Sequence, residues 1–155
     1  ARNEGKQLNE GIVQDYRYDY LCVEPKIVWA PSVFFEAEYK ATVSCVGGGI
    51  GEDTSLDPLW EVAQRLTLSL EFHDTEFRLS GEHFYNDLSK NQHLNIWLAD
   101  VSLIHKAGKW RFAASAINLF NKEQYRYTLY SAVQSYTSWI KLRPREFMVS
   151  VQYQW

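Results

Sequence analysis

Four histidines and a set of acidic side chains are the residues of this chain that could bind a metal or transfer protons. The histidines stand at positions 73, 83, 93 and 105, and their spacing brings no set of them onto one ion. The carboxylates that could act as an acid and base pair are Glu36, Glu38, Glu71 and Glu82. Basic residues accompany them along the same segments, namely Lys26, Lys40 and Arg78. Because enclosed charges need partners, the pattern favours ion pairs, and we expect no enzyme, metal site or cofactor.

A glycine-rich segment at residues 47–51 is the other motif that could hold a ligand. It lacks the Lys-Ser/Thr of a phosphate-binding loop, and Glu52 and Asp53 behind it would repel phosphate. The sequence therefore predicts a flexible outer loop here. A net charge of −3 and a pI near 5.8 provide no basic field, which argues against nucleic acid as a partner.

A two-residue alternation of apolar and polar side chains is the strongest pattern in the chain. At its end the alternation places five residues on one strand face, namely Phe147, Val149, Val151, Tyr153 and Trp155. The same period recurs in earlier segments, which begin at Tyr18, for example in Leu66, Leu68, Leu70 and Phe72. The segments exceed the five or six residues usual in soluble sheets. The pattern predicts an all-β, antiparallel meander of about seven long strands, in which polar side chains line an interior and apolar ones face lipid.

The connections between these strands alternate in length. Tight turns are expected at Pro31, Asp74 and Ala107, and longer loops at residues 47–59, 88–92 and 131–135. Short turns below and longer loops above are typical of outer-membrane barrels, which normally have an even number of strands. We therefore expect further strands upstream of Ala1. Cys22 and Cys45 are expected to be free, because they fall on different faces at far ends of adjacent arms.

Two motifs near the end of the chain carry a family resemblance. The first consists of Asn118, Leu119, Phe120, Asn121 and Lys122, followed by Tyr125. It resembles a signature near the end of TonB-dependent outer-membrane receptors. The second, Arg143-Pro144-Arg145, resembles the segment that leads into the last strand of the same family, in a style similar to receptors of Bacteroidetes. The family usually ends in Phe, and this chain departs from it with Trp155.

The resemblance implies that residues 1–155 are the carboxy-terminal segment of a 22-stranded barrel in the outer membrane of a Gram-negative cell, without the plug and upstream strands. The implied function is energy-coupled uptake of a scarce nutrient, either a ferric siderophore, haem, cobalamin or a glycan. Implied partners are outer-membrane lipid, the TonB system acting through the absent plug, and the barrel-assembly machinery. That machinery would recognise the terminal strand, in which the matching residues are Phe147, Val149, Val151, Tyr153 and Trp155.

Aromatic residues crowd the last outer hairpin and could contact the ligand. Tyr127, Tyr130, Tyr136 and Trp139 could stack on a sugar or siderophore ring, or they could anchor the hairpin at the membrane interface. Two other functions remain open: a small complete barrel with a structural or adhesive role, and a soluble lipocalin-like carrier. The carrier would need an apolar interior, so the direction of Leu66, Leu68, Leu70 and Phe72 separates it from the membrane barrels.

Face matching also predicts how three hairpins pair. In the first, Lys26 lies opposite Glu38 and Glu24 opposite Lys40. A two-residue loop at Asp74-Thr75 pairs Phe72 with Phe77, Leu70 with Leu79 and Glu71 with Arg78. In the last hairpin, Trp110 lies beside Trp155 and Phe112 beside Tyr153.

Overall fold

A computed structural model describes the backbone of residues 1–9, 12–50, 54–89, 92–130 and 135–155. Within these ranges the side chains described are those of residues 1–6, 13–49, 58–87, 93–126 and 136–155. The chain is all-β, and its strands are β1 (Arg2–Asn9), β2 (Ile12–Val23), β3 (Lys26–Ser32), β4 (Phe35–Ile50), β5 (Thr54–Phe72), β6 (Thr75–Ser89), β7 (Gln92–Ala107), β8 (Trp110–Ile117), β9 (Gln124–Tyr130), β10 (Ser135–Lys141) and β11 (Glu146–Tyr153). The described part of the chain holds no helix that is long and apolar enough to span a membrane.

The strands form one antiparallel meander. The main sheet runs β1-β2-β4-β5-β6-β7-β8-β11, and β3 pairs with β4 beside β2. β9 and β10 pair only with each other, in a separate two-stranded sheet. The main path contains eight strands, one more than expected, because β1 pairs with β2 over its whole length. The sequence of β1 has few apolar residues, so its alternation gave no signal.

β2 and β3 are two halves of one arm that is interrupted at Glu24 and Pro25. The pairing with β4 keeps the same register on both sides, from Val23 opposite Val43 to Lys26 opposite Lys40. Between them the Ala41 amide donates to the Pro25 carbonyl at 3.0 Å. Pro25 has no N–H group that could donate a hydrogen bond to β4. One hydrogen bond of the ladder is therefore missing, but the direction of the strand does not change.

The glycine-rich segment belongs to a strand, and the expected flexible loop at residues 47–59 is wrong. β4 continues to Ile50 and β5 starts at Thr54, with a register shift between Val46 and Gly48. A Cβ at Gly48 would lie 2.1 Å from the Arg17 carbonyl oxygen of β2. Glycine is therefore required here by the close approach of two backbones.

The turns at the opposite end of the sheet are tight, as predicted, but they lie one or two residues from the predicted positions. They fall at Val33-Phe34, His73-Asp74 and Gly108-Lys109. His73 and Gly108, the first residues of their turns, adopt positive φ angles of 50° and 58°, as in two-residue hairpin turns of type II′. At the other end, β6 reaches Ser89 and β7 starts at Gln92, so the loop predicted at residues 88–92 is also mostly strand.

All three hairpins keep the predicted faces, but the predicted pairs are wrong by two residues. In the middle hairpin Leu70 lies opposite Phe77 and Ser69 opposite Arg78. Lys26 lies opposite Lys40 in the first, and Trp110 opposite Tyr153 in the last. A two-residue slip leaves every side chain on its face, so face matching alone cannot detect it.

Cys22 lies opposite Ser44, and Leu21 lies opposite Cys45. The two cysteines therefore occupy opposite faces, as predicted, and both are free thiols. Their predicted separation is wrong, because they are close neighbours on paired strands. A disulfide is prevented by the direction of their side chains rather than by distance.

Candidate functional site

One face of the main sheet is apolar and uncovered. Its members include Leu21, Ile27, Leu66, Leu70, Leu103, Phe147 and Val149, all of which are exposed. Among the described residues only Ala41, Ile96 and Ala116 are buried hydrophobics. A soluble sheet buries its apolar face against a core, and the described part of this sheet has no such core. The apolar face is therefore an exposed surface that requires a covering partner.

Aromatic side chains border the apolar face at two levels. Trp60 and Trp97 lie toward the ends of β5 and β7, whereas Phe72 and Trp110 lie beside the tight turns. Trp60 and Phe72 are twelve residues apart on β5, which corresponds to about 40 Å along the strand and about 30 Å across it at a tilt of about 40°. The apolar face is thus bordered by aromatic rings at both of these levels.

A polar belt crosses the apolar face near its upper border, formed by Tyr39, Gln64, His83 and Asn95. The Tyr39 hydroxyl donates to Gln64 Oε1 at 2.8 Å, and Gln64 Nε2 lies 3.0 Å from His83 Nδ1. His83 Nε2 lies 3.0 Å from Asn95 Oδ1, and Trp97 stacks on the imidazole. These contacts fit one neutral tautomer, with the imidazole proton on Nε2. Because each polar group has a partner, the belt can lie against an apolar medium at low cost.

Above the upper aromatic border the same face becomes charged. Asp19 lies 2.8 Å from Arg2 Nε and 2.6 Å from an Arg17 guanidinium nitrogen. The hydrogen bonds from Arg2 and Arg17 hold the pKa of the Asp19 carboxyl below its ordinary value. The outward surface of β2 thus changes from ionic at Asp19 to apolar at Leu21.

The opposite, polar face carries paired charges, as the sequence predicted. Glu38 accepts both Lys26 at 3.1 Å and Lys40 at 2.6 Å. Lys26 thus forms an ion pair with Glu38 although it lies opposite Lys40 in the ladder, and Lys40 pairs with Glu38 and not with Glu24. Further pairs on this face join Arg65 to Glu82 and Arg78 to Glu76. Glu71 lies opposite Glu76 in the ladder and not opposite Arg78.

The two sequence motifs meet at a junction beside the main sheet. The junction follows the end of β8 at Ile117 and precedes the start of β11 at Glu146. Asn118 is 6% exposed, and its Nδ2 donates to the Lys122 carbonyl at 2.8 Å and the Arg143 carbonyl at 2.7 Å. Its Oδ1 accepts from the Lys122 amide at 2.9 Å. The Arg145 amide donates to Asn121 Oδ1 at 3.0 Å. Each motif thus supplies the hydrogen-bond partners of the other.

Leu119 and Phe120, the two apolar residues of the first motif, form the middle of a turn at this junction. The Asn121 amide closes the turn by donating to the Asn118 carbonyl at 2.8 Å. The Leu119 amide donates to the Ala99 carbonyl of β7 at 2.8 Å, and the Leu119 side chain is half-buried. The Phe120 ring is exposed. The turn at Leu119 and Phe120 therefore separates β8, which ends at Ile117, from β9, which starts at Gln124.

This junction changes the register of the last two arms. Below it Ile117 pairs with Glu146, and above it the Leu142 amide donates to the Glu123 carbonyl at 3.0 Å. Between these pairs lie five residues on one arm, 118–122, and three on the other, 143–145, a difference of two. Asn118 and Asn121 take positive φ angles of 52° and 51°, which asparagine tolerates better than most residues.

Above the junction the β9–β10 hairpin folds over the polar face. The rings of Tyr125 and Phe84 lie 5.2 Å apart. Beneath the junction a cavity of about 200 Å³ is lined by Glu82, Asp100, Asn118 and Arg143, among others. The Asn118 amide donates to Asp100 there at 2.8 Å. The motifs therefore position a hairpin, and their described contacts are structural.

Two of the four predicted ligand contacts have described side chains, and these two do not share a surface. Tyr136 and Trp139 are both exposed, and their positions on β10 place them on opposite faces. Arg126 lies over the Trp139 ring at 5.0 Å. Tyr127 and Tyr130 pair with Ser138 and Ser135 in the backbone ladder, and their side chains lie outside the described residues.

The terminal strand ends in an aromatic cluster. Trp110 lies 4.9 Å from Tyr153, and Trp155 meets Tyr153 edge to face at 5.6 Å. Phe112 lies opposite Val151 rather than Tyr153. The cluster that the sequence predicted is therefore present in a different register, with Tyr153 at its centre.

Sequence reasoning missed a column of tyrosines on the polar face of β2. Tyr16, Tyr18 and Tyr20 alternate with Asp15, Arg17 and Asp19, so the two-residue period itself was the available signal. It went unused because the strand was expected to start at Tyr18.

The histidines are dispersed over several strands. His83 belongs to the polar belt, His93 stacks with Tyr85, and His105 Nδ1 lies 2.9 Å from the Thr75 hydroxyl. Across the described residues no group of three or more His, Cys, Asp or Glu side chains could hold a metal ion.

No family model, curated protein or solved structure matches this chain. We therefore infer its function from the geometry of the described residues and from its sequence motifs.

Proposed function

We propose that this chain forms part of the wall of an outer-membrane β-barrel transporter similar to TonB-dependent receptors. Its role would be the energy-coupled uptake of a scarce nutrient. One observation carries the proposal: the apolar face stays exposed across the sheet, while the opposite face holds the ion pairs of Glu38 and Glu82. Lipid can cover the first face, and water or a plug can occupy the space beside the second.

The direction of the faces argues against a soluble lipocalin-like carrier. Such a carrier encloses its apolar face around the ligand. Here the β9–β10 hairpin covers part of the polar face, through Tyr125 on Phe84, while Leu66 and Leu70 stay exposed. The side that the chain itself begins to enclose is the charged one.

A small complete barrel is the second candidate, because a path of eight strands equals the smallest number found in bacterial barrels. In the described residues, however, the edge strands β1 and β11 do not pair with each other. A cysteine scan separates the two candidates, with one cysteine introduced in β1 and the other in β11. Disulfides forming efficiently in one antiparallel register would support the small barrel and contradict the larger one.

Uptake by cells tests the transport function. The gene that encodes the chain is deleted, and the entry of labelled ferric siderophore, haemin, cyanocobalamin and oligosaccharides is measured with and without a protonophore. We expect deletion to abolish the uptake of one ligand class, and the protonophore to abolish the same uptake in the parent. Uptake of all classes at the parental rate after deletion would contradict the proposal, as would a lost uptake that the protonophore does not affect.

The protein restored with Gln152→Ala serves as the matched control. Gln152 lies on the polar face of β11 opposite Arg111, away from the aromatic cluster. This variant should restore uptake to the parental rate.

A further inference from the structure

The tyrosine column of β2 begins at the level of the upper aromatic border and continues beyond it. Tyr20 lies opposite Val46, which lies opposite Leu59, the neighbour of Trp60. Tyr18 and Tyr16 follow on the same face, at intervals of about 6.7 Å along the strand. Three phenol rings thus form a row on the polar face, at the end of the sheet away from the tight turns.

The backbone opposite the column leaves room for the rings. Gly5 of β1 lies opposite Tyr16, and a Cβ at Gly5 would lie 2.8 Å from the Tyr16 ring. The ring therefore lies against bare backbone, as in the packing of aromatic rings over sheet glycines. Tyr18 lies opposite Gly48, where the backbones of β2 and β4 approach closely. Tyr20 is 38% exposed, and Tyr16 and Tyr18 are half-buried.

The groups around the column are mostly neutral. On this face the Ser44 hydroxyl donates a hydrogen bond to the Glu61 carboxylate at 3.4 Å. Asn3 lies opposite Tyr18. Arg2 and Arg17 are directed to the other face, where they bind Asp19. Farther down the polar face, Lys26 and Lys40 are held by Glu38. The column thus offers aromatic faces, hydroxyls, an amide and one carboxylate, with these four cations engaged elsewhere.

Such a surface suits a neutral polyhydroxylated chain. A sugar ring presents an apolar C–H face that can lie on a phenol ring, and hydroxyls that can bond to carboxylate and amide oxygens at its edge. An anionic ligand such as a ferric siderophore or haem would instead need unengaged Lys or Arg side chains.

We propose that Tyr16, Tyr18 and Tyr20 form a binding track for a neutral saccharide chain. This inference rests on the proposed transport function and names its ligand class. Three rings in a row can contact successive units of one chain, so each tyrosine adds to the affinity. The substrate is then an oligosaccharide, and the track lies where the outer mouth of the transporter would be.

Titration calorimetry of the whole protein in detergent tests the track, with maltohexaose, cellohexaose and xylohexaose as probes. Haemin, ferric citrate and cyanocobalamin are titrated beside them. We expect one hexasaccharide to bind, and Tyr18→Ala to raise its Kd by about 2- to 10-fold, the loss of one aromatic contact. Tyr18→Phe keeps the ring and should keep the affinity within about twofold. Arg17→Ala, on the opposite face of the same strand, is the matched control and should leave Kd unchanged.

Several results would overturn the track. One is an equal Kd for the hexasaccharide in the parent and in Tyr18→Ala. Another is that no saccharide binds at all. A third is that only haemin, ferric citrate or cyanocobalamin binds. Flotation of the same preparation with lipid vesicles separates this failure from failure of the proposed function. Protein that floats but binds no saccharide defeats only the track. Protein that does not float defeats the transporter proposal, whatever it binds.

Discussion

Replacing Asn118 should open the junction between the last two arms. The side chain makes three hydrogen bonds to backbone groups of Lys122 and Arg143. At about 1 kcal/mol for each bond, Asn118→Gly should weaken the junction by about 3 kcal/mol. Asn118→Ala should cost about 1 kcal/mol more, because its Cβ must occupy the positive φ of 52°.

Hydrogen exchange at the Leu142 amide measures both effects, since that amide donates to the Glu123 carbonyl just above the junction and neither substitution removes this bond. Protection should fall on the order of 100-fold in Asn118→Gly and several-fold further in Asn118→Ala. Asn95→Ala in the polar belt is the control, and the Leu142 amide should then exchange as in the parent. Unchanged exchange in Asn118→Gly, or equal exchange in the Gly and Ala variants, would refute the reasoning.

Three further results are expected. Deleting Trp155, or changing Tyr153 to Asp, should block outer-membrane insertion, because either change disrupts the aromatic cluster with Trp110. Gln152→Ala should not block insertion. Normal surface levels of the protein that lacks Trp155 would defeat this prediction. Glu38→Lys should lower the unfolding temperature more than Glu52→Lys outside the described residues, because Glu38 joins two lysines; equal shifts would count against the pairing. Asp19 has a lowered pKa, so its stabilising contribution is complete above the ordinary value of 3.8 and is lost as pH falls through the lower folded value. An NMR titration of the Asp19 side-chain carboxyl carbon should show the lowered midpoint, and Arg17→Ala should raise it. A midpoint at or above 3.8 in the parent would contradict this.

The faces of the strands were predictable from the sequence, and their registers were not. Alternation assigns Leu70 and Phe77 to one face, but it cannot distinguish their pairing from a slip of two residues. The position of the turn decides the register. In this hairpin His73 takes the positive φ angle, and the sequence did not indicate which residue would do so. The charge pair of Lys26 with Glu38 survived the slip because long side chains reach diagonally across strands.

The last hairpin shows why its predicted pairs failed. Above the junction β9 and β10 follow the predicted register, in which Lys141 lies opposite Gln124. The motif residues 118–122 then exceed the opposing segment by two residues, so that Tyr153 and not Trp155 lies opposite Trp110. The sequence identified the motif by resemblance but did not reveal that it makes a bulge. The tyrosine column was missed because the strand was expected to start at Tyr18, although the two-residue period already begins before it, at Tyr16.

Solvent and lipid accessibility along β5 tests most directly whether the apolar face meets lipid. Spin labels are placed singly at the six positions 65–70, in protein lacking Cys22 and Cys45 and reconstituted in bilayers. We expect collisions with dissolved oxygen to peak at Leu66, Leu68 and Leu70, and collisions with a water-soluble nickel chelate to peak at the positions between them. Equal accessibility at all six positions, or chelate access at the leucines, would contradict the membrane-wall proposal.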